Sequence, residues 1–306
     1  MKILLTGATG FVGQRLTLIH SDCRCVVRKG EDYEFEDKFI VDSIDANTNW
    51  VQCFDGVNNI VHLAGIAHKV GTSNKDYINV NTRGTLHLAS EAAKFGVKRF
   101  VFVSSIGVNG VTTQLERFAP DSTSNPHNDY AKSKYDAELG LKKIAEETGL
   151  EVVIVRPTLV YGPSAPGNFG MLTKLVAKFS FLPFGLANNR RDFIAVQNLA
   201  DLLVTCATHP DAGGHTFLAS DGETVSIKQF TNAIADGLGK KVIQLPIPVS
   251  LMRLAGKLTG KLNMIDQLYG NLEVDSSNIK EVLGWTPPLT MKQAMVILRD
   301  SGVKSK

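Results

Sequence analysis

Lys2-Ile3-Leu4-Leu5-Thr6 is a short apolar run that breaks at once into Gly7-Ala8-Thr9-Gly10-Phe11-Val12-Gly13, after which the chain takes up helical spacing to about residue 20. A strand, a glycine turn and a helix in that order constrain the fold more than any other feature of the chain. The spacing is Gly-x-x-Gly-x-x-Gly. Gly7 suits the tight turn, Gly10 lets the N–H groups of Phe11 and Val12 approach a pyrophosphate at the helix N-terminus, and Gly13 lets the helix lie close on the strand. The loop predicts a dinucleotide site at the start of a parallel sheet.

Further apolar runs rich in Val, Ile and Phe follow at 24–28, 38–42, 58–64, 99–104 and 150–156, with helical patterns near 11–20, 75–95 and 129–147. This alternation predicts an α/β chain built on a Rossmann-type doubly wound parallel sheet over residues 1–162, completed by 196–220. Residues 105–128 are polar and read as a loop or flap. Turn signals at Gly162-Pro163, Pro166-Gly167, Gly213-Gly214 and Pro287-Pro288 mark a smaller C-terminal substrate-binding lobe from 163–195 and 221–306.

With 306 residues, 43% hydrophobic and 21% charged, the chain has the composition of a globular protein and not of a disordered one. Thirty-three Lys plus Arg stand against 30 Asp plus Glu, scattered along the chain, so nucleic acid is not an expected partner. Cys23, Cys25, Cys53 and Cys206 fit neither a disulfide framework nor a zinc or redox motif, and no metal site is expected. The first residues lack a signal-peptide core, and no run approaches the ~18 apolar residues of a membrane span, which predicts a cytoplasmic protein. Leu251, Leu254, Leu258 and Leu262 recur at helical spacing among Arg253, Lys257 and Lys261. We read this stripe as core of the smaller lobe, with no membrane association.

The second strand of such a sheet commonly ends in a carboxylate that holds the ribose 2′-hydroxyl of NAD. Here it ends in Arg28 and Lys29, and a cation suits a 2′-phosphate, so NADP(H) is favoured with NAD(H) as the alternative. Asp42, after the third strand, is placed to reach the adenine edge. Tyr130 and Lys134 share a helix face at i and i+4. A nearby ammonium stabilises a phenolate, which makes Tyr130 a candidate acid or base for an alcohol/carbonyl pair. Ser104-Ser105 close the fifth strand, where a serine hydroxyl can hold the substrate oxygen.

These residues resemble those of the extended short-chain dehydrogenase/reductases, in particular the nucleotide-sugar epimerase/dehydratase group. Gly7 to Gly13 is similar to that family's cofactor loop, and Val61-His62-Leu63-Ala64-Gly65 to its fourth-strand motif, which would put Leu63, Ala64 and Gly65 beside the cofactor. Asn81 is similar to the helix asparagine of the group. In Val103-Ser104-Ser105-Ile106-Gly107, Ser105 matches the catalytic Ser/Thr and Val103 lies at the cofactor, while Tyr130 and Lys134 match the Tyr-x-x-x-Lys pair. Arg156-Pro157 through Val160-Tyr161-Gly162-Pro163 resemble the strand end that packs on nicotinamide. Asn168-Phe169 is similar to the segment that touches the nucleotide-sugar. Arg191-Asp192-Phe193-Ile194 with Leu199-Ala200-Asp201 resembles the block whose arginine forks onto the sugar diphosphate, with Ala195 and Asn198 where His and Asp are usual. Asp275 matches the late segment near the nucleotide. The resemblance also implies a homodimer through the helices near 75–95 and 129–147.

It further implies NAD(P)-dependent oxidation and reduction at carbon 4 of a nucleotide-diphospho-sugar in bacterial surface-polysaccharide synthesis. Ser105, Tyr130 and Lys134 would be catalytic; Ser105, Asn168, Phe169, Arg191 and Asp275 would contact substrate. Arg28 leans the reading toward a UDP-4-keto-6-deoxy-hexosamine 4-reductase. The alternatives are a UDP-hexose 4-epimerase, acting on UDP-glucose or UDP-N-acetylglucosamine, and a non-catalytic NADP(H)-binding regulator. A dehydratase is disfavoured because residues 104–107 contain no carboxylate.

Overall fold

A computed structural model describes residues 1–31, 33–67 and 71–300. The first strand, β1 (Lys2–Thr6), enters helix α1 (Phe11–Ile19) through the glycine turn, and β2 (Cys23–Arg28), β3 (Asp37–Val41) and β4 (Val57–His62) follow. A helical stretch then runs unbroken from Asn74 to Lys94 as α2 (Asn74–Tyr77), a π-helical segment (Ile78–Gly84) and α3 (Thr85–Lys94). The spacing predicts one regular helix there. The wider π turn carries Asn81, whose side chain is held by a neighbouring loop, and such turns concentrate at functional sites.

Next come β5 (Arg99–Val103), the long α4 (Asp129–Thr148) and β6 (Glu151–Pro157). Helix α4 starts under an Asn128 side-chain cap and stops at Gly149, which takes a left-handed φ of 77°. Beyond it lie β7 (Leu159–Tyr161), α5 (Gly167–Lys178), β8 (Phe181–Leu182), β9 (Phe193–Ala195), α6 (Val196–Thr208) and β10 (Thr216–Ala219). The C-terminal part adds α7 (Ile227–Gly237), β11 (Ile243–Gln244), α8 (Val249–Leu258), α9 (Leu262–Tyr269), α10 (Ser277–Leu283) and α11 (Met291–Asp300).

Seven strands form one parallel sheet in the order β10-β6-β5-β4-β1-β2-β3. The order reverses between β1 and β4, and a ligand crevice is expected outside the carboxyl ends of strands at such a point. Both faces are buried. Ile3, Leu5, Val101 and Val153 pack against α1 and α6, whereas Leu4, Phe100, Phe102 and Ile154 pack against α3 and α4. That two-sided burial is why these strands read as continuous apolar runs. A separate aromatic core around Tyr161, Phe169, Phe193 and Phe230 holds the smaller lobe. The flap is pinned to that lobe: Thr113 N–H donates to Asn271 O (2.9 Å), Phe118 N–H to Glu273 O (3.0 Å) and Asp275 N–H to Phe118 O (2.7 Å).

The leucine stripe of 249–262 is not core. Leu251, Leu254 and Leu258 are 52%, 53% and 80% exposed, and Gly256 is the buried residue of α8. Helical spacing identified the stripe, but α8 packs on α9 through Gly256, on the side of the helix away from those leucines. No helix among the described residues is long and apolar enough to cross a membrane. All four cysteines are buried, free thiols.

Candidate active site

The glycine loop is built by steric necessity. Gly7 has φ +73°, and a Cβ there would lie 2.8 Å from Ala64 N; a Cβ at Gly13 would lie 2.2 Å from Gly7 O. Larger residues would push α1 off the strand. Helix α1 begins after Gly10 with no side-chain cap, which leaves first-turn N–H groups of Phe11 and Val12 available to an anion at the crevice. Leu63 N–H donates to Thr6 O (3.1 Å) and Ala64 N–H to Thr6 Oγ1 (3.3 Å), tying the ends of β1 and β4 together across the switch point.

Behind that seam lies a buried polar column. His62 bonds Thr6 Oγ1 (2.7 Å) and Thr85 Oγ1 (2.9 Å), and Thr85 donates to Asn81 O. Burial, helped by the Lys134 charge, pushes His62 down to about 3, so the ring is neutral. Asn81 donates to Ile66 O and Ser133 Oγ (both 3.0 Å) and accepts from Ile66 N–H (2.8 Å). Gly65 sits where a Cβ would come within 3.0 Å of Asn81 Oδ1 and 3.3 Å of Lys134 Nζ, so a larger residue there would crowd both groups. The cradle glycines and the uncapped helix start fit a dinucleotide.

Arg28 is not an unpaired cation. Its Nε donates to Glu31 Oε1 (3.0 Å), its Nη2 reaches the same oxygen, and the second carboxylate oxygen of Glu31 accepts from Thr9 Oγ1 (3.3 Å) in the glycine loop. Burial works against the Glu31 charge, but the Arg28 and Thr9 bonds hold its carboxyl below the usual range. Glu31 therefore brings the carboxylate that the end of β2 lacks. Sequence reading missed it because it lies beyond the strand, in a loop whose path no periodicity reveals. Asp42 is exposed directly after edge strand β3.

At the end of β5 two adjacent serines diverge. Ser105 bonds the Tyr130 phenol and accepts from Gly107 N–H (3.1 Å). Burial pushes Tyr130 up to about 12, with the Ser105 bond pulling it down and the neighbouring Tyr77 ring (6.2 Å) raising it. Lys134, one turn further along α4, is 3% exposed. Its Nζ donates to Val103 O (2.9 Å) and lies 4.6 Å from the Phe102 ring centroid. Burial brings Lys134 down to about 8, with Glu138 opposing. Ser105 and the Tyr130 phenol thus meet at the carboxyl end of β5, and Lys134 lies one turn further along the same face of α4, with its ammonium on Val103 O.

Glu138, another turn along the same face, is a second residue that sequence reading missed, although its i+4 offset from Lys134 was the available signal. Buried, it accepts from Ser104 Oγ (2.5 Å) and Arg156 Nε (2.9 Å), and Arg156 also donates to Asn109 Oδ1 (3.0 Å). Pro157 ends β6 next to Arg156, and Val160 lies in β7, half-buried over the same core face.

The substrate end is placed only in part. Asn168 is exposed in the first turn of α5. Phe169, expected on the sugar, is 1% exposed and packs on Tyr161 and Phe230, so its side chain serves the lobe core instead. Arg191 Nη1 donates to Gln267 O (2.5 Å) and Gly270 O (2.9 Å) at the end of α9, leaving Nε and Nη2 without a partner among the described residues. Burial lowers Arg191 to about 10, opposed by Asp192. Asp275 is exposed, and bonds from Ser277 hold its carboxyl low. The departure at 198 has a local reason. Asp221 accepts from Ala195 N–H (3.1 Å), Asn198 Nδ2 (2.7 Å) and Tyr161 OH (2.8 Å), so an aspartate at 198 would face a buried carboxylate.

The family model described as "NAD dependent epimerase/dehydratase family" matches residues 3–223. A Vibrio cholerae protein described as UDP-glucose 4-epimerase is 41% identical over 307 aligned residues, covering 95% of this chain and 92% of the relative. An Escherichia coli O157:H7 protein described as N-acetyl-alpha-D-glucosaminyl-diphospho-ditrans,octacis-undecaprenol 4-epimerase is 26% identical over 96% of this chain and 93% of its own length. Among solved structures, the UDP-glucose 4-epimerase of Thermotoga maritima with UDP-glucose superposes with a TM-score of 0.76 at 22% identity, covering 98% of both chains. That likeness extends to the fold.

Proposed function

Because the chain belongs to the NAD-dependent epimerase/dehydratase family, we propose that it is a nucleotide-sugar 4-epimerase that inverts carbon 4 of a UDP-hexose on a retained NAD(P). The observation that carries the chemistry is the Ser105–Tyr130 hydrogen bond with Lys134 one turn away. The choice of epimerisation over 4-keto reduction follows the 41% identical relative and the Arg28–Glu31 pair, which removes the free cation that leaned toward NADPH.

Bound NAD(P) supplies the hydride acceptor and donor for carbon 4. The chain's own groups do the rest. The glycine loop, Ala64, Gly65 and Asn81 hold the cofactor, and Glu31 beside Thr9 favours NAD(H) over NADP(H). Ser105 hydrogen-bonds the sugar 4-oxygen and aligns it on Tyr130. Tyr130 takes the 4-hydroxyl proton and returns it to the 4-oxygen after the ring has presented its other face. Lys134, positive near neutral pH at about 8, lowers the cost of charge on the phenol. Arg191, with donors to spare, and exposed Asn168 and Asp275 take the sugar diphosphate side. Ile78 in the π-helical segment, Phe95 just after α3 and Leu139 on α4, all exposed, are assigned to a homodimer contact.

The test is direct. Purified protein without added cofactor should interconvert UDP-glucose and UDP-galactose from either side, and on denaturation should release close to one NAD(H) per chain. Tyr130→Phe should lose at least about 10²-fold in kcat while keeping its nucleotide. A protein that is isolated empty and only consumes NADPH with a 4-keto sugar nucleotide would overturn the epimerase reading.

A further inference from the structure

We propose that the α8–α9 hairpin is a docking element for an anionic lipid surface. On α8, Leu251, Leu254 and Leu258 fall within about 60° of arc at ~100° per residue, and all three are more than half exposed. Met264 on α9 is also exposed, at 48%. Exposed leucines this close together are unusual on a surface with nothing to cover them.

The charge beside them points to the partner. Residues 249–265 hold Arg253, Lys257 and Lys261 and no carboxylate. Arg253 is paired with Asp266 (2.8 Å), whereas Lys257 and Lys261 form no ion pair among the described residues. On the helical wheel Arg253 and Lys257 lie to one side of the leucine stripe. A groove of about 480 Å³ runs between the helices, lined by Ser250, Arg253, Leu254, Lys257, Leu262 and Asp266. An apolar stripe bordered by cations is the pattern of a helix lying in a headgroup interface, with leucines inserted and lysines at the phosphates. A second protein surface with a matching acidic rim is the competing occupant.

The hairpin is tied to the site rather than remote from it. The last residues of α9 accept from Arg191, through Gln267 O and Gly270 O, and from Asn189 Nδ2, through Leu268 O and Gly270 O. A docked α8 would therefore hold the Arg191 segment about one length of α9, ~12 Å, from the lipid surface. The inference does not depend on which reaction Tyr130 performs.

The full chain should sediment with vesicles of phosphatidylethanolamine and phosphatidylglycerol but not with phosphatidylcholine vesicles, and the binding should fall with added salt. Lys257→Glu with Lys261→Glu should lower partitioning more than tenfold, since each lysine near such a surface is worth roughly fivefold. Leu254→Ser with Leu258→Ser should lower it at least as much while leaving turnover of a water-soluble UDP-sugar and the thermal midpoint unchanged. Absence of wild-type binding to the anionic vesicles would overturn the proposal. So would equal binding by the lysine variant, or a dimer in sedimentation velocity that the leucine variant splits into monomers.

Discussion

Ser104 and Ser105 are neighbours in sequence whose hydroxyls serve different residues on one face of α4: Ser104 donates to the buried carboxylate of Glu138 and Ser105 bonds the Tyr130 phenol. The eight-residue offset between Tyr130 and Glu138 sets the split, because it places the two partners about two turns apart along α4. It also separates two roles that the sequence places together. Ser105→Ala should lower kcat by about 10²-fold with cofactor affinity unchanged, as for loss of one preorganised donor. Ser104→Ala should retain most activity and cost roughly 1–2 kcal/mol in urea unfolding, because Arg156 still satisfies Glu138.

Glu138 and Arg156 form a buried ion pair one turn beyond Lys134 on α4, joined by two hydrogen bonds. Glu138→Leu strands a guanidinium in the interior and should cost about 3–5 kcal/mol. Glu138→Leu combined with Arg156→Met removes both charges, and we expect it to recover most of that loss. A double-mutant cycle by denaturant unfolding checks this; additive losses would mean that the pair contributes independently of its burial.

Lys134 links the site to pH. Its folded value of about 8 lies below the ordinary 10.5 because burial disfavours the charged form. The unfolded chain therefore binds the extra proton between pH 8 and 10.5, so stability rises with pH through that window and the penalty is fully present below pH 8. The shift corresponds to about 3 kcal/mol, less roughly 1 kcal/mol for the bond to Val103 O. Lys134→Met should accordingly be inactive but more stable than the parent at pH 7, and the gain should shrink toward pH 10.5. A stability difference that does not change with pH would show that the lysine is not held against its charge.

Much of this was legible in the chain because it is written in local rules. Strands β1, β5 and β6 are apolar and buried on both faces, the three glycines are spaced for a turn, and Tyr130 and Lys134 share a helix face by i, i+4 geometry. What was hidden depends on distant partners. Periodicity found the leucines of α8 but says nothing about what lies over them. The Asn168-Phe169 segment put Phe169 at the substrate by resemblance, while the ring that it packs against, Phe230, lies 61 positions away. Asn198 reads as a lost acid until Asp221 is seen beside it.

Arg28 gives the sharpest case, and a last prediction. Alone at the end of β2 it reads as a 2′-phosphate ligand, but Glu31 takes its guanidinium and touches the glycine loop through Thr9. A 2′-phosphate approaching there meets a carboxylate, whereas a ribose hydroxyl finds an acceptor. In Glu31→Gln the carboxylate charge is gone and Arg28 is released. The ratio of NADPH to NADH affinity should then move toward NADPH by about tenfold, equivalent to roughly 1.4 kcal/mol. Arg28→Ala should move it the other way by a smaller factor, because Glu31 keeps its Thr9 bond but no longer shares its charge. Both shifts are read by fluorescence titration of the apoprotein. An unchanged ratio in Glu31→Gln would place cofactor choice outside this pair.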